Sequence, residues 1–122
     1  MTTDRRWRVV HYEKKDGTCP IAEFIDSLST EERQKVLARI DLLEEKGPNL
    51  HRPYADALGD GLHELRVRVT KLRYRVLYFF CDRDDIVLTH GFKKKVQRVP
   101  PNEIKRAKRY REDWLRRQDE DS

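Results

Sequence analysis

The run Tyr74-Arg75-Val76-Leu77-Tyr78-Phe79-Phe80-Cys81 constrains the fold more than any other segment. It is nearly continuous apolar in a chain that is 40% charged and only 37% hydrophobic. Such a strand belongs at the centre of a sheet, covered on both faces. The covering layers must come from the rest of a 122-residue chain, which has room for one domain. We place that single domain at residues 1–117 and read residues 118–122 as a polar tail, predicted to be disordered.

The flanking sequence supplies the layers. Trp7–Tyr12 is short, rich in β-branched and aromatic residues, and followed by Lys14-Lys15-Asp16-Gly17, a first strand and a turn. Pro20 suits the first position of a helix carrying Ile21, Phe24, Ile25 and Leu28 on one face. Ser29-Thr30-Glu31-Glu32 spells a capping box for a second helix bearing Val36, Leu37, Ile40 and Leu43, which Gly47-Pro48 ends. A loop through Pro53 and Gly59-Asp60-Gly61 follows.

Leu62–Val69 then alternates, with Leu65, Val67 and Val69 on one face and Glu64, Arg66 and Arg68 on the other. With Tyr74–Cys81 and Ile86–Phe92 it predicts an antiparallel meander, and Pro100-Pro101 opens a last helix. The expected fold is α+β, a small antiparallel sheet packed by helices in the order β-α-α-β-β-β-α.

Charge is distributed unevenly. Residues 1–61 hold ten basic and twelve acidic side chains, whereas residues 62–117 hold seventeen and seven. Arg66, Arg68, Lys71, Arg73 and Arg75 come from two adjacent strands, and Lys93-Lys94-Lys95 and Arg98 follow the next. Converging at one end of a small sheet, they make a patch suited to a polyphosphate, nucleic acid above all. Arg75 has two readings: a guanidinium aimed at a ligand, or a structural pair with Glu64, the one acidic residue on the neighbouring strand.

Other chemistries find little support. No apolar run approaches the roughly 20 residues of a membrane helix, the first residues lack the apolar segment of a signal peptide, and a cytoplasmic location is expected. Cys19 and Cys81 are read as reduced thiols, and the four histidines are too dispersed for zinc, so no metal or cofactor is expected. His90 is a candidate proton carrier, but alternation groups it with Leu88 and Phe92, the pattern of a core histidine. His63 shares a face with Leu65 and reads the same way. A catalyst built on cationic side chains favours RNA, whose 2′-hydroxyl is an internal nucleophile.

Gly61-Leu62-His63-Glu64-Leu65-Arg66, Tyr74–Phe80, His90-Gly91-Phe92-Lys93-Lys94-Lys95 and Pro100-Pro101-Asn102-Glu103-Ile104 with Ala107 resemble the HigB branch of the RelE/ParE toxin superfamily, often described as phage-derived toxin-like proteins. Cys19–Ile25 resembles that family's first helix, and the likeness spans about residues 7–115. It implies a compact RelE-like fold with a curved sheet, and the toxin half of a type II toxin–antitoxin pair. HigB-like members cut mRNA in the A site of the ribosomal small subunit, without metal, by attack of the 2′-hydroxyl on the adjacent phosphate.

By that resemblance Arg75 and Lys93 would face phosphate and transition-state charge, while Arg66 and Arg68 would position RNA. Lys71, Arg73, Lys95 and Arg98 would extend the RNA-binding surface, and His90 or Lys94 would move protons. The expected partner is a HigA-like helix-turn-helix antitoxin whose acidic segment masks the patch. Some RelE-like members place a catalytic tyrosine after this strand. Val96 through Ile104 contains none, which leaves the acid–base roles open. A ParE-like gyrase inhibitor and a non-catalytic RNA-binding protein remain as alternatives.

Overall fold

The computed structural model describes residues 6–82, 84–95 and 97–121. Strand β1 (Arg8–His11) leads to α1 (Pro20–Asp26) and α2 (Thr30–Lys46). Then come β2 (Ala55–Gly59), β3 (Leu62–Val69), β4 (Leu72–Cys81), β5 (Asp85–Lys94) and α3 (Pro101–Glu120). The capping box forms as the sequence predicts. The Ser29 hydroxyl accepts from the Glu32 N–H at 3.2 Å, and Glu32 Oε1 accepts from the Ser29 N–H at 2.7 Å. Gly47, at φ 54°, ends α2 in a conformation that L side chains rarely adopt, and a single 3-10 turn follows.

The five strands form one sheet in the order β1-β5-β4-β3-β2. The meander β3-β4-β5 is antiparallel, as expected from the short spacing of its strands. Two features were not legible in the sequence. The first strand lies parallel to β5, pinned by Arg8 Nε and Nη2 donating to the Asp85 carboxylate at 2.7 and 2.9 Å. The segment Ala55–Gly59, read as loop, is an additional edge strand against β3. Its residues, Ala-Asp-Ala-Leu-Gly, have weak strand propensity, and backbone pairing rather than side-chain pattern makes it a strand.

Helices α1 and α2 bury Ile21, Ile25, Val36, Ile40 and Leu43 against Leu65, Val67, Tyr74, Val76, Tyr78, Ile86 and Leu88. On the other face, Ala107 and Tyr110 of α3 pack with Leu62, Leu77, Phe79 and Val87. Strand β4 contributes to both clusters, so it is the doubly covered central strand its composition demands. At 25 cal/mol per Å² of apolar surface, each fully buried Leu, Ile or Val contributes about 1.5–3 kcal/mol to holding these layers together.

One irregularity changes how the face pattern reads. Leu77 pairs with His90 but Tyr78 pairs with Leu88, so Thr89 is an extra residue in β5. This bulge moves His90 to the α3 layer while Leu88 stays in the α1/α2 layer. Simple alternation had grouped the two. A second difference concerns the tail: α3 runs through Glu120, and the Asp121 N–H still donates to the Arg117 carbonyl at 3.1 Å. Residues 118–120 therefore continue a helix where a disordered segment was expected.

Candidate nucleic-acid interface

The face of the sheet under α3 does not end where α3 stops packing. Following the same side along each strand leads from Leu62 to Glu64, Arg66 and Arg68 on β3, and from Leu77 to Arg75 and Arg73 on β4. On β5 it leads from His90 to Phe92 and Lys94, which pair in register with Arg75 and Arg73. Alternation thus collects four arginines and a lysine on one side of three adjacent strands. The register settles which lysine belongs there. Lys94 shares the arginine face, whereas Lys93 pairs with Tyr74 and acts electrostatically on Glu32 of α2, in the other layer.

At the centre is Glu64, 5% exposed, beside Arg75, also 5% exposed. Glu64 Oε1 accepts from Arg75 Nε at 2.5 Å and from Arg66 Nε at 3.2 Å. Arg75 Nη1 also donates to the Tyr74 carbonyl at 3.0 Å. The pair between Arg75 and Glu64, one of the two readings of Arg75, therefore exists. It also fixes a guanidinium beside the other arginines, since a buried charge of this kind is held in one geometry by its partner. Burial and the neighbouring Arg66 and Arg73 push the Arg75 guanidinium down, against the pull of Glu64.

Lys94 feels the same field. Partial burial pushes its ammonium below the ordinary lysine value, the positive charges of Arg75, Arg66 and Arg73 add to this, and Glu64 opposes it. A lysine so placed gives up its proton more readily than a solvated one. His90 is different. It is 1% exposed, with Nε2 3.1 Å from Glu103 Oε1 and Nδ1 3.1 Å from the Thr89 hydroxyl. Burial, with Arg106 and Arg109 nearby, pushes the imidazole down to about 3, so it sits neutral and donates through Nε2–H to Glu103. The histidine ties α3 to β5.

A cavity of about 350 Å³ opens beside the cluster, lined by Arg39, Tyr54, Arg66, Arg68, Arg73 and Arg75 among others. It exists because β2 covers only the first half of β3. Its first residue, Ala55, pairs with Leu65, and the Tyr54 carbonyl accepts from the Arg66 N–H at 2.8 Å. Beyond that point no described strand pairs with this edge of β3. Arg39 reaches over from α2 instead, donating through Nη1 to the Arg66 carbonyl at 2.9 Å.

Neither Arg39 nor Tyr54 was singled out from the sequence. Arg39 looks like any charged residue of a mixed helix face. Tyr54 is an aromatic inside a polar loop, the one signal that was available. Of the other sequence candidates, Lys71 lies exposed in the β3–β4 turn, and Lys95 and Arg98 are exposed beyond β5. An array of guanidinium groups around a concavity, with Glu64 as its buried counter-charge, is suited to binding phosphodiesters.

Residues 23–112 match the family model described as phage derived protein Gp49-like (DUF891). Among solved structures, a chain from the archaeal RelE–RelB complex of Pyrococcus horikoshii OT3 superposes with a TM-score of 0.50 at 22% identity. That match covers 73% of this chain and 96% of the other, and it shows a RelE-type fold. Comparison with curated proteins gave no match.

Proposed function

The chain belongs to the phage-derived Gp49-like family, and from that membership and the arginine groove we propose that it is the toxin of a type II toxin–antitoxin pair, an endoribonuclease acting on mRNA in the ribosomal A site. The observation that carries the reading is the placement of Lys94 on the face of Arg66, Arg73 and Arg75 around one buried carboxylate. A phosphodiester in this groove has its non-bridging oxygens toward guanidinium groups. The charge that develops on phosphorus during in-line attack is then stabilised by dipoles and cations already in place.

The substrate brings its own nucleophile. The ribose 2′-oxygen attacks the adjacent phosphorus, its proton passes to water, and the bond from phosphorus to the 5′-oxygen breaks. Lys94 protonates the departing 5′-oxygen, leaving a 2′,3′-cyclic phosphate and a 5′-hydroxyl. Arg73 and Arg66 hold the phosphate, and Arg75, fixed by Glu64, shapes the charge of the groove. His90, enclosed between β5 and α3, serves the fold in this scheme, and Lys93 lies on the other layer. An antitoxin with an acidic segment would neutralise the protein by filling the groove. That the archaeal RelE was solved in complex with RelB supports an antitoxin partner.

The test is induced expression of wild type beside Arg73→Ala, an exposed position whose loss leaves the core intact. Growth arrest with discrete cuts inside translated codons, both lost in the variant, is the expected result. Growth arrest with intact mRNA would overturn the reading and bring gyrase inhibition forward.

A further inference from the structure

Three exposed large apolar side chains stand out among the described residues: Leu37, Tyr54 and Leu115. Tyr54 alone is aromatic, and it alone lines the arginine cavity. It is 41% exposed although its backbone is held on both sides. Its N–H donates to the His51 carbonyl at 2.9 Å, and its carbonyl accepts from the Arg66 N–H at 2.8 Å. The ring is therefore mounted just ahead of β2, on a residue whose backbone is hydrogen-bonded to β3, the strand that carries Arg66 and Arg68.

The Arg39 guanidinium lies 4.5 Å from the centroid of the Tyr54 ring. The same guanidinium is anchored by its bond to the Arg66 carbonyl, so it fixes one side of the ring as well as stacking on it. A tyrosine needed only for packing would be expected to sit inside the core. This one is propped at the rim of a concavity, with a cation on it and four more arginines within the same lining. A rigid aromatic surface beside a row of phosphate-binding cations is the combination that recognises unpaired nucleotides, where the base stacks and the backbone pairs with charge.

We propose that Tyr54, backed by Arg39, is a base-stacking platform that holds an unpaired nucleobase of the RNA next to the phosphate bound by Arg66 and Arg73. The inference rests on the RNA reading above and adds to it a substrate requirement: the strand must be single-stranded and must carry a base at that position. Duplex RNA, with its bases already stacked, cannot use the platform. Specificity by hydrogen bonding is not required of Tyr54, since every base has a π-face.

The probe is a short 2′-O-methyl RNA, which cannot be cut, carrying 2-aminopurine at successive positions, together with an abasic ribose-phosphate oligomer of the same length. Wild type should bind the base-bearing strand more tightly than the abasic one and quench 2-aminopurine at one position. Tyr54→Ala should lose about 5- to 100-fold in affinity for the base-bearing strand, keep its affinity for the abasic oligomer, and lose the quench. Tyr54→Phe, which keeps the ring, should behave as wild type. If wild type binds and quenches but Tyr54→Ala does the same, or loses both ligands equally, the platform is wrong and the RNA reading survives. If wild type binds neither strand, the platform falls, and cleavage on the ribosome is judged separately by the mRNA ends.

Discussion

Arg75 donates through Nε to Glu64 Oε1 at 2.5 Å, and both side chains are only 6% exposed. This pair joins the two central strands of the groove, and it makes the most informative arginine of the sequence a poor choice for a single-substitution activity test. Glu64→Ala would leave a guanidinium buried without its counter-charge and should destabilise the fold by about 3–5 kcal/mol. Urea unfolding of Glu64→Ala, Arg75→Met and the double variant should give a double loss smaller than the sum of the singles. Additive losses would mean the pair is not coupled.

Lys94 should behave oppositely. Lys94 is the last residue of β5 and only half-buried, so Lys94→Ala should change stability by no more than about 0.5 kcal/mol while lowering cleavage roughly 10²- to 10⁴-fold. Lys94→Arg should not restore the rate, because a guanidinium keeps its proton. For the wild type, the rate should fall as pH rises through a value lower than that of an ordinary lysine, since the ammonium form is the active one. A rate unchanged by Lys94→Ala would remove it from the proton transfer.

The buried histidine sets an acid limit on the fold. His90 titrates at about 3 in the folded chain against 6.5 when exposed, so between those values the unfolded chain binds the extra proton. Its contribution to stability is whole above pH 6.5 and is lost as pH falls toward 3. Near pH 4.5 the loss amounts to about 2–3 kcal/mol. The groups facing it are Glu103, Arg106, Arg109 and Tyr110, and half-buried His63 shifts the same way through desolvation. Denaturation midpoints of His90→Asn should fall less steeply than those of wild type between about pH 6.5 and 4.5. Equal slopes would show that the imidazole already carries its proton.

Gly91 is a steric prediction of another kind. A Cβ there would drive into the Phe24 ring of α1, closer than any real side-chain contact. Gly91→Ala should therefore cost about 1–3 kcal/mol through overpacking, and Phe24→Leu introduced with it should recover part of the loss. Thermal melts of the two variants decide this, and an unperturbed Gly91→Ala would show that α1 can move away freely.

How much of this was written in the sequence depends on the kind of signal. The continuous apolar run at Tyr74–Cys81 announced a doubly covered strand, and the capping box at Ser29 and Glu32 marked the start of α2 to the residue. The alternation of Leu62–Val69 placed Glu64, Arg66 and Arg68 on one face correctly. What alternation could not show was the bulge at Thr89, since an extra residue leaves no compositional trace, and so His90 was grouped with Leu88. Long-range register was equally silent. Lys93 and Lys94 are adjacent in sequence but lie on opposite layers, and only their pairing with Tyr74 and Arg73 tells them apart. Arg39 and Tyr54 enter the groove from another helix and a loop, a juxtaposition that no local pattern encodes.

The central claim, cleavage by the substrate's own 2′-hydroxyl, is tested most directly by the chemistry of the ends. Purified protein is added to a translating extract, and the new mRNA ends are mapped and chemically identified for wild type and Lys94→Ala. The account predicts upstream fragments ending in a 2′,3′-cyclic phosphate or its 3′-phosphate product, with 5′-hydroxyl ends downstream, and a strong reduction for the variant. Intact mRNA would contradict it, and so would 3′-hydroxyl and 5′-phosphate ends, which attack by the 2′-oxygen cannot generate.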